Sequence, residues 1–498
     1  MVLTPQSLLV KVRAANRRQR RLLFNVCPAT LVLASYIESR RPGQYSYGQM
    51  PLEGPELHAA LADPDTVFCL SLCGLDEIHL AEDLFAAVTV ASRKGVAPKI
   101  IVGGAFFSAV SAEDFAARFP LVSHVVQGDG EEALLHILDN DPSEVIVKGN
   151  DFPEAGKFRL SPVLPWHQER TIPLRRQPYH CAWDKCRFCF HTDGPGRSAV
   201  SMEEFCDSVS EYFHKYGWRK FYIFDNYTEP PDLEYLLKYC EEKKLPVEFD
   251  VLGMMLVKPA LELRDLLKRT RMVRYIGWGL ESYHQKTLKL YRKGTNVANV
   301  KPLLEMAREA GVRNFTFILT GLPQVEREAD VVTYEFLKEA TAGDRPLIDG
   351  IALSWFLYSP QLSDRLDDNE FGLTPGEAYT LGDYACDLPA EAKGGLSSLR
   401  TIYSRFNVRD HETGKDYSRD ELFLERGDIL KKMLLLPGAR FDFRSYMIQL
   451  DTWRKVWGDD NLDRWMREQP RALVPKTSNL SVVQMARKLR KPQPPICL

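Results

Sequence analysis

The stretch Cys181-Ala-Trp-Asp-Lys-Cys186-Arg-Phe-Cys189 places three cysteines within nine residues. Thiolates are the soft ligands found at iron–sulfur clusters, and each cysteine can bind one corner of a cubane [4Fe–4S] cluster. Three protein ligands leave the fourth iron open, and an open metal position distinguishes catalytic from structural sites. The stretch therefore predicts a [4Fe–4S] cluster with one iron free for chemistry.

A structural zinc site is the alternative interpretation of the same cysteines. It requires a fourth ligand, which His180, His191 or Cys206 could supply. Structural zinc sites usually contain two paired ligand motifs, and the chain has no second Cys-x-x-Cys pair. The cysteines alone favour a cluster over zinc and leave both interpretations open.

Length and composition limit the class of protein. The chain has 498 residues, 45% of them hydrophobic, which suffices for several domains with full cores. The net charge of −2 argues against a nucleic-acid partner, and no run of 18 apolar residues predicts a membrane span. Of the ten cysteines, three are clustered and the others are dispersed, and no secretory signal is present, which together indicate a reducing compartment, the cytoplasm. The basic run at 11–21 is typical of a solvated helix face.

Short apolar strands alternate with helices in residues 1–150. The clearest strands are 66–72, 99–102 and 124–127. This alternation predicts a doubly wound, Rossmann-like parallel sheet with helices on both faces. Ligands of such sheets bind beyond the carboxyl ends of the strands, and two glycine pairs lie at such ends: Gly103, Gly104, Gly128 and Gly130. Glycines at these positions alone are more typical of tight turns.

A partial barrel is predicted after a proline-rich linker at 151–170. Residues 171–360 contain six β/α units, with strands that end at the cysteine loop and near residues 224, 251, 278, 319 and 355. This order predicts a partial (β/α)6 barrel of the TIM type, whose functional groups gather at the carboxyl ends of the strands. Polar or glycine residues follow three of these ends, namely Asp225, Asn226, Glu281, Ser282 and Gly321.

Residues 361–498 carry helical patterns at 429–436 and 443–456 and predict a small, mostly helical C-terminal domain. Nothing in this segment identifies a substrate, although substrate specificity is expected to lie there. The basic tail is expected to be exposed, and Cys497 is interpreted as an incidental thiol.

The sequence from the cysteines onward resembles the radical S-adenosylmethionine (radical SAM) superfamily. The usual motif is CxxxCxxC with an aromatic residue before the last cysteine, here Phe188, and the first gap is one residue longer in this chain. Three further phrases also resemble the family: IFDNYTE at 223–229, GWGLES at 277–282 with KTLKLYRKGT at 286–295, and FILTGLP at 317–323.

The resemblance implies a role for each matching residue. Cys181, Cys186 and Cys189 would bind the cluster, and the free iron would bind the methionine part of S-adenosylmethionine (SAM). Other SAM contacts would come from Phe188, Asp225, Asn226, Glu281, Ser282, Gly321 and Trp355. Simpler roles remain open: Asp225 and Glu281 could cap helices, and Trp278 and Trp355 could be packing residues.

The N-terminal region resembles the cobalamin-binding domain that precedes the barrel in many radical SAM enzymes. The matching phrases are IIVGG at 100–104 and VVQGDGEE at 125–132. The resemblance implies cobalamin at Gly103, Gly104, Gly128 and Gly130. The chain has no Asp-x-His-x-x-Gly motif, so no lower histidine ligand of that kind is expected.

The activity implied is reductive cleavage of SAM to a 5′-deoxyadenosyl radical, followed by cobalamin-dependent C-methylation of a natural product or peptide. A small-molecule or peptide substrate and an electron donor such as flavodoxin or ferredoxin are the expected partners. Two alternatives are a radical rearrangement, cross-link or oxidation with a cobalamin-free N-terminal domain, and a non-catalytic zinc or iron–sulfur adaptor.

Overall fold

The structure is a computed structural model of the whole chain. It describes residues 20–24, 28–50, 55–72, 78, 84–86, 88–89, 98–149, 159–164, 171–176, 181, 183–189, 200–255, 263–362, 365–366, 369–384 and 396–441. The chain divides into two compact units. One comprises Met1–Ser108 with Ala112–Gln168, and the other Ala109–Ser111 with Glu169–Leu498.

Unit 1 is built on a six-stranded sheet in the order β2-β1-β3-β4-β5-β6, with every neighbouring pair parallel. The order reverses between β1 and β3, which is the feature of a doubly wound fold. The elements are β1 Arg20–Phe24, α1 Pro28–Arg40, β2 Tyr45–Gln49, α2 Pro55–Leu61, β3 Thr66–Ser71, β4 Lys99–Gly103, α3 Ala112–Arg118, β5 His124–Gln127, α4 Glu131–Asn140 and β6 Ile146–Lys148.

The core of unit 1 explains why the central strands read as continuous apolar runs. All six residues of β3 are buried, because helices cover both faces of the sheet. Val67, Ile101 and Val126 pack beneath Ile37 of α1 and Ile137 of α4. The predicted parallel sheet is confirmed.

Unit 2 is built on a seven-stranded, all-parallel sheet in the order β16-β12-β11-β10-β9-β8-β7. Its elements up to the sixth strand are β7 Ile172–Leu174, α5 Met202–Tyr216, β8 Lys220–Ile223, α6 Pro230–Glu242, β9 Glu248–Met254, α7 Arg264–Thr270, β10 Val273–Glu281, α8 Gln285–Leu290, α9 Val300–Glu309, β11 Arg313–Thr320, α10 Arg327–Ala340 and β12 Gly350–Trp355. The six predicted β/α units are confirmed.

Local sequence signals set the ends of the first barrel helix. The Ser201 side chain accepts a hydrogen bond from Glu204 N at 3.1 Å, which satisfies a free amide of the first turn. At the other end, Gly217 adopts a left-handed conformation with φ +70°, which favours glycine. The helix start predicted at Ser201 is therefore confirmed.

The C-terminal segment differs from the mostly helical prediction. Its described residues form β13 Leu373–Thr380, α11 Leu381–Tyr384, β14 Arg400–Arg409, β15 Asp416–Ser418, α12 Arg419–Leu434 and β16 Ala439–Phe441. Strands β13, β14 and β15 make an antiparallel sheet, and β16 extends the barrel sheet beside β12. Buried and exposed residues alternate along much of β14, which is the strand period. The pattern at 429–436 lies mostly in α12, whereas 443–456, Cys497 and the basic tail lie outside the described residues.

Among the described residues, no helix is both long enough and apolar enough to cross a membrane.

Candidate active site

The cysteine loop follows β7 and is held by the segment after β10. Arg187 N donates to Tyr291 O at 3.1 Å, and Trp183 Nε1 donates to Arg292 O at 2.8 Å. Gly294, with φ +80°, lies under the Trp183 ring, where an added Cβ would come within 2.3 Å of Cζ2. The glycine of the RKGT phrase therefore makes room for the cysteine loop.

Residues 365–366 and 369–371 of the C-terminal region also contact the cysteine loop. Arg365 donates from Nη2 to Asp184 Oδ1 at 2.9 Å and from Nη1 to Cys186 O at 3.5 Å. Arg187 pairs with Glu370 at 2.6 Å, and its guanidinium lies 5.2 Å from the centre of the Phe371 ring. We call the described residues 365–366 and 369–371 the strap. It ties the backbone of a predicted cluster ligand to the C-terminal region.

The three thiols differ in burial. Cys186 is buried, while Cys181 and Cys189 are partly exposed. A turn closes the loop, because Cys189 N donates to Cys186 O at 3.3 Å. Burial raises the pKa of the Cys186 thiol to about 12, Lys293 opposes that rise, and the other two cysteines add to it.

A buried ion pair, Lys293 with Glu281, lies beside the loop. Lys293 Nζ is 3.0 Å from Glu281 Oε1 and 5.7 Å from the centre of the Phe188 ring, and both side chains of the pair are mostly covered. Burial opposes the charge of Lys293, but Glu281, Cys186 and Cys189 outweigh burial and raise the pKa of Lys293. Gly279 leaves space for the pair, since its Cβ would lie 2.9 Å from Lys293 Nζ.

The donor set of the loop, three thiols, is compatible with an iron–sulfur cluster. Among the described residues, no three His, Cys, Asp or Glu side chains converge as ligands of one metal ion. A cubane cluster instead takes each thiolate on a different iron, which is compatible with three cysteines spread along a loop. The neighbouring Lys293 ammonium also matches the negative charge of bound thiolates.

Cys206 is one of the three candidates for the fourth ligand of a zinc site. Cys206 is fully buried in α5, and burial raises the pKa of its thiol to about 12. Its thiol interacts electrostatically with Cys240 of α6, whose helix packs against α5. The other two zinc candidates, His180 and His191, lie outside the described residues.

Asp225 and Asn226 follow β8, as predicted. Asp225 is buried, and its Oδ1 accepts a hydrogen bond from Arg176 N at 2.9 Å, which joins the end of β8 to the end of β7. Arg176 also pairs with Asp232, and the three residues line one small cleft. The alternative that Asp225 caps the next helix is wrong, because the N-cap of α6 is Glu229. Asn226 is half-buried.

The side chains of Glu281 and Ser282, at the end of β10, contact different partners. Glu281 has φ +66° at an irregularity in the β10–β11 pairing, and its side chain pairs with Lys293. It does not cap α8, whose N-cap is His284. The Ser282 hydroxyl is buried, lies 3.3 Å from Thr333 Oγ1 of α10 and accepts from His284 N. The assignment of both residues to SAM stays a prediction.

Gly321 and Trp355 are packed against each other. Gly321 has φ +74°, and an added Cβ would lie 2.3 Å from Trp355 Cε2. The ring of Trp355 packs against that of Phe423 of α12 in a T-shaped arrangement, with the ring centres 4.8 Å apart. Trp278 is likewise buried, and its Nε1 donates to Asn314 Oδ1 at 2.8 Å. These contacts favour the packing interpretation of both tryptophans.

Three residues of the site were not predicted from the sequence. Lys293 lies in the quoted RKGT phrase but received no role, and Arg365 and Glu370 lie in a segment without a readable pattern. The sequence offered one signal for Lys293. It is a lysine directly before a glycine, in a phrase that follows the end of a strand. Nothing comparable marks the strap, because its contacts depend on tertiary structure.

The glycines at the carboxyl edge of the unit 1 sheet are required by close packing and by the backbone conformation at that edge. Gly104, with φ +109°, leaves no room for a Cβ, which would lie 2.3 Å from Leu72 O, and Gly103 abuts Val126. Gly130 lies against Leu33, and Gly128 has φ +90°. A flat edge without side chains is compatible with a planar ligand, but internal packing alone accounts for these glycines.

Comparison with known proteins gives a family match for part of unit 2. The model of the radical SAM superfamily matches residues 178–337. Among curated proteins, no relative matches the chain.

Several solved structures share the fold. The structure of the radical S-adenosylmethionine methyltransferase TsrM from Kitasatospora setae, with tryptophan substrate and the SAM analog aza-SAM bound, has a TM-score of 0.55 and 14% identity over 90% of this chain and 100% of TsrM. The cobalamin-dependent S-adenosylmethionine radical enzyme OxsB, with aqua-cobalamin and SAM bound, has a TM-score of 0.51 and 16% identity over 72% of this chain. The chain covers 57% of the length of OxsB.

Proposed function

Because residues 178–337 form a domain of the radical SAM superfamily, we propose that the protein binds a [4Fe–4S] cluster through Cys181, Cys186 and Cys189. We further propose that it uses SAM and cobalamin to methylate a carbon atom of a small molecule or peptide. The observation that carries the proposal is the cysteine loop, fixed at the carboxyl end of a parallel barrel sheet beside a buried lysine.

A reduced cluster would supply one electron to the sulfonium of SAM. The described residues would supply the environment for that step. Tyr291 and the strap hold the loop in place, and Phe188 presents its backbone between two cluster cysteines. The buried aromatic and aliphatic side chains around Phe188 exclude water from one side of the site, which protects reactive species from quenching.

Cobalamin is proposed from one feature of unit 1 and one comparison with a solved structure. The strand order reverses between β1 and β3, and ligands of doubly wound sheets bind at such a point. In addition, TsrM has been described with cobalamin and a [4Fe–4S] cluster bound, at a TM-score of 0.54 to this chain. Methyl transfer to carbon is therefore the leading reaction.

A second candidate function keeps the cluster and SAM but dispenses with cobalamin. It is favoured by the glycines at the edge of unit 1, whose lack of side chains is explained by contacts with Leu72, Val126 and Leu33. The reaction would then be a radical rearrangement, cross-link or oxidation, and unit 1 would have a structural role.

The two candidates are distinguished by the corrin content of the protein. We would isolate it without oxygen from cells supplied with cobalamin, and record the corrin absorption together with iron. One corrin per chain is expected for the methyltransferase. Iron without corrin would favour the cobalamin-free alternative.

A second experiment tests the cluster ligands. Cys181→Ala, Cys186→Ala and Cys189→Ala are each expected to abolish iron binding, because each removes one of three thiolates. The matched control is Cys206→Ala, at a fully buried cysteine of α5. If Cys206→Ala also loses its metal, the site is a four-ligand site and the open iron is wrong. Formation of 5′-deoxyadenosine from SAM by the reduced protein would exclude the adaptor alternative.

A further inference from the structure

The Lys293–Glu281 pair is unusual because both charges are withdrawn from solvent beside a set of cysteines. Lys293 is 6% exposed, so its ammonium is poorly stabilised by water. A buried lysine persists in the charged form only where negative charge compensates it. Glu281 supplies one such charge at 3.0 Å.

The positive end of the pair lies beside the cysteine loop. Lys293 Nζ is 5.7 Å from the centre of the ring of Phe188, which belongs to the loop between Cys186 and Cys189. The thiolates that would bind the cluster are therefore near the ammonium of the pair.

We propose that Lys293 is a positioning residue that holds a fixed positive charge against the cysteine loop and thereby raises the reduction potential of the bound cluster. The inference rests on the proposed cluster. The step concerned is transfer of one electron from a low-potential one-electron donor, which is itself oxidised by one electron. No bond forms or breaks, and no proton moves.

The physical reason is the charge added on reduction. One electron adds one negative charge to an assembly that already carries three thiolates. A buried ammonium stabilises that charge more strongly than a solvent-exposed ammonium would, because the protein interior screens charges weakly. Glu281 opposes this effect but also keeps the lysine charged and in place.

The test is a potentiometric titration of the isolated protein, followed by the electron paramagnetic resonance signal of the reduced cluster. At a fixed potential, Lys293→Met is expected to lower the ratio of reduced to oxidised cluster about tenfold. For a one-electron couple, this change corresponds to a reduction potential that is lower by about 59 mV. Glu281→Gln is expected to shift the potential upward, because it removes the opposing charge. Lys293→Arg keeps the charge and should stay close to the original potential.

The control is Lys286→Met. Lys286 also forms an ion pair, with Glu326, but its side chain is 70% exposed. Its loss should leave the potential unchanged. If Lys293 only supported the loop, its substitution would change the iron content but not the reduction potential. The reduction potential therefore distinguishes an electrostatic role from a structural one.

The outcomes separate this inference from the proposed function. Unmodified protein without iron and sulfide overturns the cluster itself. A cluster-containing Lys293→Met protein with unchanged potential overturns the inference alone. If Lys293→Met holds no cluster, Glu281→Gln decides, and an unchanged or lowered potential in that variant overturns the inference.

Discussion

At the scale of single residues, the site depends on glycines that admit bulky neighbours. Gly294 makes room for Trp183, and Gly321 makes room for Trp355, each with φ above +70°. Left-handed φ values are costly for other residues, and the space for a Cβ is already filled. Both glycines lie in phrases that resemble the radical SAM family, and packing against a tryptophan already requires each of them.

Replacing Gly321 by Ala is expected to destabilise unit 2 by roughly 2–4 kcal/mol, through backbone strain together with overpacking against Trp355. The matched control is Gly311→Ala. Gly311 has φ +81°, and no described residue lies within 4 Å of an added Cβ, so only the backbone term of about 1 kcal/mol remains. Denaturant unfolding of the two variants checks the difference, and equal losses would contradict the packing account.

At the scale of elements, α12 is fastened to the barrel helix α10 by a buried ion pair. Arg426 donates to Asp330 Oδ2 at 3.1 Å and also to Val325 O, and both side chains of the pair are almost wholly covered. Burial raises the pKa of Asp330, and Arg426 acts against that rise. The same two helices also share an exposed pair, Arg327 with Asp428.

The two pairs allow a direct comparison of buried and exposed charges. Arg426→Met leaves Asp330 buried without its cation, and should cost about 3–5 kcal/mol of unfolding free energy. Arg327→Met removes the exposed pair and should cost only about 0.5 kcal/mol. Thermal unfolding of both variants checks the prediction. Similar shifts for the two would mean that α12 does not depend on the buried pair.

The strap is the second element whose role can be tested. Arg365→Met removes the contacts with Asp184 and Cys186 O, and should speed the release of iron to a chelator roughly fivefold, since about 1 kcal/mol of hydrogen bonding is lost. The control is Arg345→Met, at an exposed loop position. If both variants release iron at the original rate, the strap does not hold the cluster loop.

Prediction from sequence succeeded where elements are apolar and periodic, and failed where they are not. The strands at 66–72, 99–102 and 124–127 were found because they are continuous apolar runs. The edge strand β2 was missed because its sequence, YSYGQ, carries little apolar signal. Strand β16 has three residues and is defined by its pairing with β12, which no local pattern reveals.

At the scale of the whole molecule, the chain combines two parallel sheets of different construction. Unit 1 has the reversed strand order of a doubly wound sheet, whereas unit 2 runs in sequence order from β7 to β12. Each sheet therefore has its own carboxyl edge, and the candidate residues lie at those edges, as predicted from the sequence. The tertiary partners of those residues, such as Lys293 for Glu281 and Thr333 for Ser282, could not be predicted, because they depend on how loops return to the sheet.

The most direct test of the central claim is the metal content of protein isolated without oxygen. We expect about four irons and about four sulfides per chain, with little zinc, and a signal of the reduced cluster that changes when SAM is added. Stoichiometric zinc without sulfide, or a cluster whose signal SAM leaves unchanged, would contradict a [4Fe–4S] site with an open iron.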